Sequence, residues 1–288
     1  MPKLVIGCGY LGIRVAQRWS NAGEMVYAVT RSAARAEVLR GQGLHPIVAD
    51  VTDPSSLTSL PNIETVLYAV GFDRTAGKSK RDVYVNGLAA ALAAVPSSVR
   101  RFLYVSSTSV YGQQSGEWID ESSPREPCTE EGRICLAAEE TLERHALGPV
   151  SCILCLAGIY GPGRVPRREA LAKGEPIAAR PDAFLNLIHV DDAASVVMAA
   201  AKAKTLAPRY LVADSHPVIR REYYRELARL WGQGEPQFAE VVEGTVPTGR
   251  GATNKRVSNR RLLGELKLNL KYPSYREGLA AILAVESD

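Results

Sequence analysis

No run of 18 apolar residues occurs in the 288-residue chain, which argues against a membrane-spanning helix. The opening MPKLVIGCGYLG lacks a charged n-region, a long apolar h-region and a small-residue cleavage site. The expected location is therefore the cytoplasm, with no membrane partner. Cysteine is sparse: Cys8, Cys128, Cys135, Cys152 and Cys155 form an odd set without metal-ligand spacing, so neither a disulfide framework nor a metal site is expected. Cys152 and Cys155 do spell C-x-x-C, but inside the apolar run VSCILCLAGIYG. A redox pair sits at a helix start, where the dipole lowers a thiol pKa; these two read as small hydrophobes in a buried strand. Internal repeats and low-complexity linkers are missing as well. The net charge is only +4, and Lys and Arg are scattered apart from a basic run over Asn254–Arg261 that lacks interleaved aromatics. A reader of nucleic-acid phosphates clusters its positive charge, so nucleic acid is not an expected partner. A surplus of arginine suits a small anionic ligand instead.

What the sequence does contain is alternation. Apolar runs at Lys3–Ile6, Met25–Val29, Pro46–Ala49, Thr65–Ala69, Phe102–Ser106 and Cys152–Leu156 read as buried strands. Helical patterns separate them: Leu11, Val15, Trp19 and Ala22 form one apolar stripe, and Asp82–Val95 reads as a helix ended by Pro96. The pattern predicts an α/β fold, a Rossmann-type doubly wound parallel sheet with a small C-terminal substrate-side lobe. After Gly161 the rhythm loosens. GPGRVPRREALAKGEP is a loop leading into a short helix; NLIHVDD closes a strand and opens a helix, with Asp191 as its expected N-cap. RYLVAD reads as a strand, Arg221–Trp231 as a helix, and the tail as two short helices around a Pro-containing link. The expected division is 1–160 for the nucleotide-binding core and 161–288 for a mixed part that completes the sheet and builds the lobe.

LVIGCGYLG sets Gly7, Gly9 and Gly12 in G-x-G-x-x-G spacing, directly after a strand and opening a helix, with Tyr10 and Leu11 between them. The three glycines give a tight turn, a close approach of backbone to pyrophosphate and a helix–strand contact. The helix start adds unpaired N–H groups and the positive end of a dipole. At the end of the second strand an NAD site carries Asp or Glu to hold the ribose 2′-hydroxyl. Here Arg31 stands in that region, assisted by Arg35, with no acid nearby. A cation there pairs with a 2′-phosphate, so NADP is the preferred cofactor over NAD.

Further segments carry a likeness to a known family. ADVTD holds Asp50 and Val51; LYAVG holds Ala69, Val70 and Gly71; VYVNG holds Asn86; FLYVSSTSVYG holds Ser107; LAGIYGPG and NLIHVDD follow. Together they resemble the extended short-chain dehydrogenase/reductases, in their NAD(P)-dependent epimerase/dehydratase branch. The resemblance runs from Lys3 almost to the C-terminus. It implies that Asp50 and Val51 lie beside the adenine, that Ala69, Val70 and Gly71 pass the cofactor, that Asn86 is the family's helix-borne Asn, and that Ser107 takes the place of the catalytic Ser or Thr. It also implies a Y-x-x-x-K pair some two dozen residues beyond Ser107. In TEEGRICLAAEE the surrounding pattern aligns Glu131 with the Tyr and Cys135 with the Lys. The chain thus looks like an atypical member that lacks the active-site pair.

In the resembled mechanism the phenol moves a proton as hydride passes to or from nicotinamide, and the lysine lowers the phenol's pKa. A carboxyl with a reference pKa of ~4.3 is ionised at neutrality unless burial raises it, and a thiol of ~8.5 supplies no positive charge. Tyr160, in the loop GIYGPG, is a candidate replacement donor; Tyr111 and Tyr84 read as packing residues, and His189 as a structural histidine near a helix start. Arg164, Arg167 and Arg168 are candidates to face an anionic substrate.

Three functions compete. One is an NADP-dependent oxidoreductase, epimerase or dehydratase acting on a sugar-like or nucleotide-sugar substrate with a non-standard proton donor. The second is a non-catalytic NADP(H)-binding sensor, and the third a scaffold that keeps the nucleotide only for stability. The enzyme is preferred, because Ser107 and the substrate-side loops are kept beside the lost pair. The expected partner is a small-molecule substrate, with an anionic sugar derivative as the candidate, and a second copy of the chain is a candidate for a homodimer.

Overall fold

The computed structural model describes residues 2–239 and 253–287; residues 240–252 of the expected C-terminal part lie outside it. Five strands open the chain: β1 (Lys3–Ile6), β2 (Val26–Thr30), β3 (His45–Val48), β4 (Thr65–Tyr68) and β5 (Arg101–Ser107). With Ser151–Leu156 and Arg209–Val212 they make a seven-stranded parallel sheet, each of the first six strands falling within one residue of its apolar run. From one edge the order is Arg209–Val212, Ser151–Leu156, β5, β4, β1, β2, β3. All four residues of β1 and of β4 are buried, as strands covered on both faces must be.

Register decides where the loops emerge. Ile6 is level with Val29 on one side and with Tyr68 on the other. The chain therefore leaves β1, β2 and β4 at nearly the same height, and the Ala69 N–H donates to the Ile6 carbonyl at 2.8 Å. Helix α1 (Gly12–Asn21) packs Val15, Ala16 and Trp19 inward. Helix α2 (Ala33–Gly41) starts at Ser32, whose Oγ accepts from the Arg35 N–H at 3.3 Å. The helix expected over 82–95 begins as a π-turn at Asp82–Asn86 and becomes regular in α3 (Gly87–Ala94).

The described residues form two compact units. The first takes Met1–Ser107, Arg133–Cys155 and Ala194–Tyr210; the second takes Thr108–Gly132, Leu156–Ala193 and Leu211–Asp288. Each unit thus gathers three separate segments of the chain.

Within the first unit, α4 (Glu130–Arg144) brings in Glu139, which is fully buried. Its carboxylate accepts from Ser106 Oγ at 2.5 Å, Cys155 Sγ at 3.4 Å and Arg209 Nη2 at 2.9 Å. Arg209 also reaches Glu143 at 2.7 Å. Burial pushes the Cys155 thiol well up, aided by the Glu139 charge, so Cys155 serves as a donor and not as a thiolate.

In the second unit, Gly158–Tyr160 pairs in parallel with Leu187–His189. Helices Arg220–Leu230 and Tyr275–Ser287 contribute to one apolar cluster that includes Tyr160, Leu187, Tyr223, Leu227 and Leu279. The helix after NLIH begins at Val190, two residues earlier than a cap at Asp191 requires. His189 Nδ1 accepts the Asp191 N–H at 3.2 Å, so an imidazole does the work assigned to Asp191. Asp192 is buried and accepts the N–H groups of Lys271 and Tyr272 at 2.8 and 2.9 Å, tying the tail to this helix start.

Arg209→Met should cost about 3–5 kcal/mol of stability, because it leaves the Glu139 carboxylate buried without its cation. Urea unfolding of the purified variant beside the parent checks this.

Candidate cofactor and active site

The steric fit of the glycine turn defines the first half of the site. Gly7 has φ +95°, and a Cβ there would come within 2.6 Å of the Ala69 carbonyl and the Val70 nitrogen. A Cβ on Gly12 would collide with the Gly7 carbonyl oxygen. Gly9 is different: a Cβ on it would meet no atom within 4 Å. Two glycines thus close the strand–turn–helix joint, and the third keeps open space above the backbone at the start of α1. This is the cradle a pyrophosphate needs, so the residues fit a dinucleotide.

Gly7, Gly9, Arg31, Asp50, Val51, Ala69, Val70 and Gly71 line one cavity of about 270 Å³ in the first unit. Tyr10, Leu11, Gly12 and Asn86, also expected at the cofactor, are not among the residues that line it. The Tyr10 carbonyl accepts from Arg14 Nη1 at 2.7 Å, with the guanidinium 4.4 Å from the Tyr10 ring centroid, and Leu11 is buried. Asn86 donates to Asp82 Oδ1 at 3.0 Å inside the π-turn. Asp50 Oδ1 accepts both the N–H and the Oγ1 of Thr52 at 2.8 Å, which fixes the loop after β3. Gly87 allows Val51 to seat against α3, since a Cβ there would lie 2.8 Å from a Val51 methyl.

The cavity also has walls that the motifs did not single out: Cys8, Thr30, Asp73 and Lys78. Burial pushes the Cys8 thiol up to about 11 against the pull of Arg35, so it stays protonated at neutral pH. Arg31 Nη2 pairs with Asp73 Oδ2 at 2.8 Å. Hydrogen bonds from Thr75 and from Arg31 hold the Asp73 carboxyl at about 2. The charged stretch FDRTAGKSK directly after a strand was the signal that could have pointed to Asp73 and Lys78.

Ser107 is the last residue of β5 and is half-buried. Glu131 and Cys135 stand one turn apart near the start of α4, each half-buried. Gly132 between them is required: its N–H donates to Thr129 Oγ1 at 3.1 Å, and a Cβ would strike the Ser109 carbonyl. Tyr160 is placed otherwise than expected. It is fully buried in the second unit's apolar cluster, its hydroxyl 3.5 Å from the Ser274 carbonyl and its ring so close to Gly278 that a Cβ there would overlap it. Burial pushes its phenol far above the ordinary range. Tyr160 thus packs within this cluster, away from solvent. Tyr111 is also fully buried. His189 packs 4.0 Å from Tyr272 and edge-on to Tyr160 at 5.3 Å between ring centroids.

A parallel sheet of this order with such a turn after β1 defines a Rossmann-type dinucleotide-binding protein. The comparisons narrow the class. The chain belongs to the NAD dependent epimerase/dehydratase family, whose profile matches residues 4–213. Protein YeeZ of Escherichia coli K12 is 28% identical over 277 residues, spanning 93% of this chain and 95% of that protein. A structure from Methylobacillus flagellatus assigned as an NAD-dependent epimerase/dehydratase is 32% identical, with a TM-score of 0.78 and coverage of 100% and 99%. UDP-glucuronic acid 4-epimerase from Bacillus cereus, solved with UDP-glucuronic acid and NAD, shares the fold at 19% identity and a TM-score of 0.77, covering 99% and 98%. Among the described residues no helix is long and apolar enough to cross a membrane.

Gly9→Ala should fold like the parent, because its methyl enters empty space, yet bind NAD(P) roughly tenfold or more weakly by filling the place of the pyrophosphate. Gly7→Ala should lose stability as well. Thermal unfolding and calorimetric titration of both variants separate the two effects.

Proposed function

We propose that this protein is an NADP(H)-preferring oxidoreductase of the epimerase/dehydratase type, acting on a sugar-like or nucleotide-sugar substrate with a proton donor other than a Tyr–Lys pair. The observation that carries the reading is the cradle made by Gly7, Gly9 and Gly12, with Arg31 in the wall of the same cavity. The bound nicotinamide would supply the hydride acceptor or donor. Gly9 and the start of α1 would seat the pyrophosphate, Asp50 and Val51 would border the adenine, and Ala69–Gly71 would line the path beside β4. Arg31 directly follows β2, where its planar fork suits a 2′-phosphate and where an acid would repel one. The complex of the Bacillus cereus epimerase with UDP-glucuronic acid supports an anionic sugar as the substrate class.

On the substrate side, Ser107 would hydrogen-bond the reacting hydroxyl. At the positions that align with the family's Tyr and Lys, Glu131 and Cys135 can accept or hold a proton but supply no positive charge. One observation favours the second reading, a non-catalytic NADP(H) sensor: Tyr160, a phenol the sequence offers as a substitute donor, is fully buried.

Calorimetry with NADPH and NADH tests the first step, and nicotinamide absorbance with a panel of nucleotide sugars tests turnover. The expected result is tighter binding of NADPH and slow turnover of a nucleotide sugar. Arg31→Asp should weaken NADPH by roughly tenfold or more and spare NADH. NADPH binding without any turnover selects the sensor.

A further inference from the structure

The loop after β4 does more than close the cavity. Arg31 follows β2 and Asp73 follows β4, and β1 lies between those strands in the sheet. Neighbouring strands are about 4.8 Å apart. The Arg31–Asp73 pair therefore bridges two strand spacings across the end of β1, where the glycine turn begins, and both partners line the same cavity as Gly7 and Gly9.

The two partners are held unequally. Asp73 Oδ1 accepts the Thr75 N–H at 2.9 Å and the Thr75 Oγ1 at 2.7 Å, so its carboxylate is pinned to its own loop. Arg31 reaches it on a long side chain, and the pair is open to water, with the two side chains 51% and 39% exposed. Such a pair is weak and easily exchanged. A phosphate dianion offers a guanidinium more charge and a bidentate face. Lys78, from the same loop, adds a second cation to the wall.

We propose that Asp73 is a specificity-determining residue of the cofactor site: a resident carboxylate that occupies Arg31 in the free protein and that a 2′-phosphate must displace. The inference rests on the NADP(H) reading and adds what limits it. An incoming 2′-phosphate has to win Arg31 from Asp73 and then lie beside that negative charge. A 2′-hydroxyl meets neither obstacle and can donate to the carboxylate. Asp73 thus lowers the affinity for NADP(H) and spares NAD(H), setting the ratio that Arg31 alone would push further.

Asp73→Asn tests this cleanly. The amide keeps an oxygen for Thr75, and the exposure of the pair leaves folding unaffected, which thermal unfolding verifies. Parent and variant are titrated with NADPH and with NADH at low and high salt. NADPH affinity should rise roughly three- to tenfold in the variant while NADH holds or weakens, and the gain should shrink as salt screens the charges. An unchanged NADPH-to-NADH ratio, or a fall in NADPH affinity, overturns the role of Asp73 even if the parent prefers NADPH. If the parent binds NADH alone and the variant gains NADPH, Asp73 keeps its role and the cofactor preference fails. Absence of binding by either protein overturns both.

Discussion

The site rests on a contact between backbones. Gly7 presses against the Ala69–Val70 peptide, and Gly12 against Gly7, with no room for a single methyl at either place. That contact aligns the exits of β1 and β4, and the parallel register carries the exit of β2 to the same level. The loops that wall the cavity after β1, β2 and β4 then start at a fixed height. A positive φ at Gly7 turns the chain within one residue and lets α1 begin over the sheet.

Charge is handled in two ways in the first unit. Glu139 is sealed from water and surrounded by donors from β5, Ser151–Leu156 and Arg209–Val212, which joins three strands to α4. At the cavity, charges of both signs stay within reach of solvent and can be exchanged: Arg31, Asp73, Lys78 and Asp50. The buried group specifies how helix and sheet meet, and the open groups can answer to a ligand. Of the two, only the second arrangement suits recognition, because a sealed pair costs several kcal/mol to break.

The sheet was legible because its information is local. Four to seven apolar residues between glycine-rich or polar turns are enough to mark a buried parallel strand, and the glycine spacing after Lys3–Ile6 carries its own geometry. What escaped depended on distant partners. Tyr160 reads as a loop residue until Gly278, more than a hundred positions later, is found against its ring. Asp73 gains meaning only from Arg31, 42 positions earlier. Asp191 satisfies every local rule for an N-cap, yet the preceding imidazole of His189 takes the N–H, held in place by Tyr160 and Tyr272. The compact units likewise gather segments far apart in the chain, Met1–Ser107 with Arg133–Cys155 and Ala194–Tyr210, a grouping that no local pattern marks.

That late strand has a bearing on biosynthesis. Ser151–Leu156 is an apolar run whose outer edge is covered only when Arg209–Val212 arrives, an arrangement visible in the 2.9 Å bond from the Ile153 N–H to the Pro208 carbonyl. A chain emerging from the ribosome completes SCILCL some fifty residues before its partner exists. During that interval the sheet exposes an unpaired hydrophobic edge, the kind of surface on which nascent chains pair wrongly with one another. The order of elements in the gene thus leaves a window of vulnerability that the finished fold conceals.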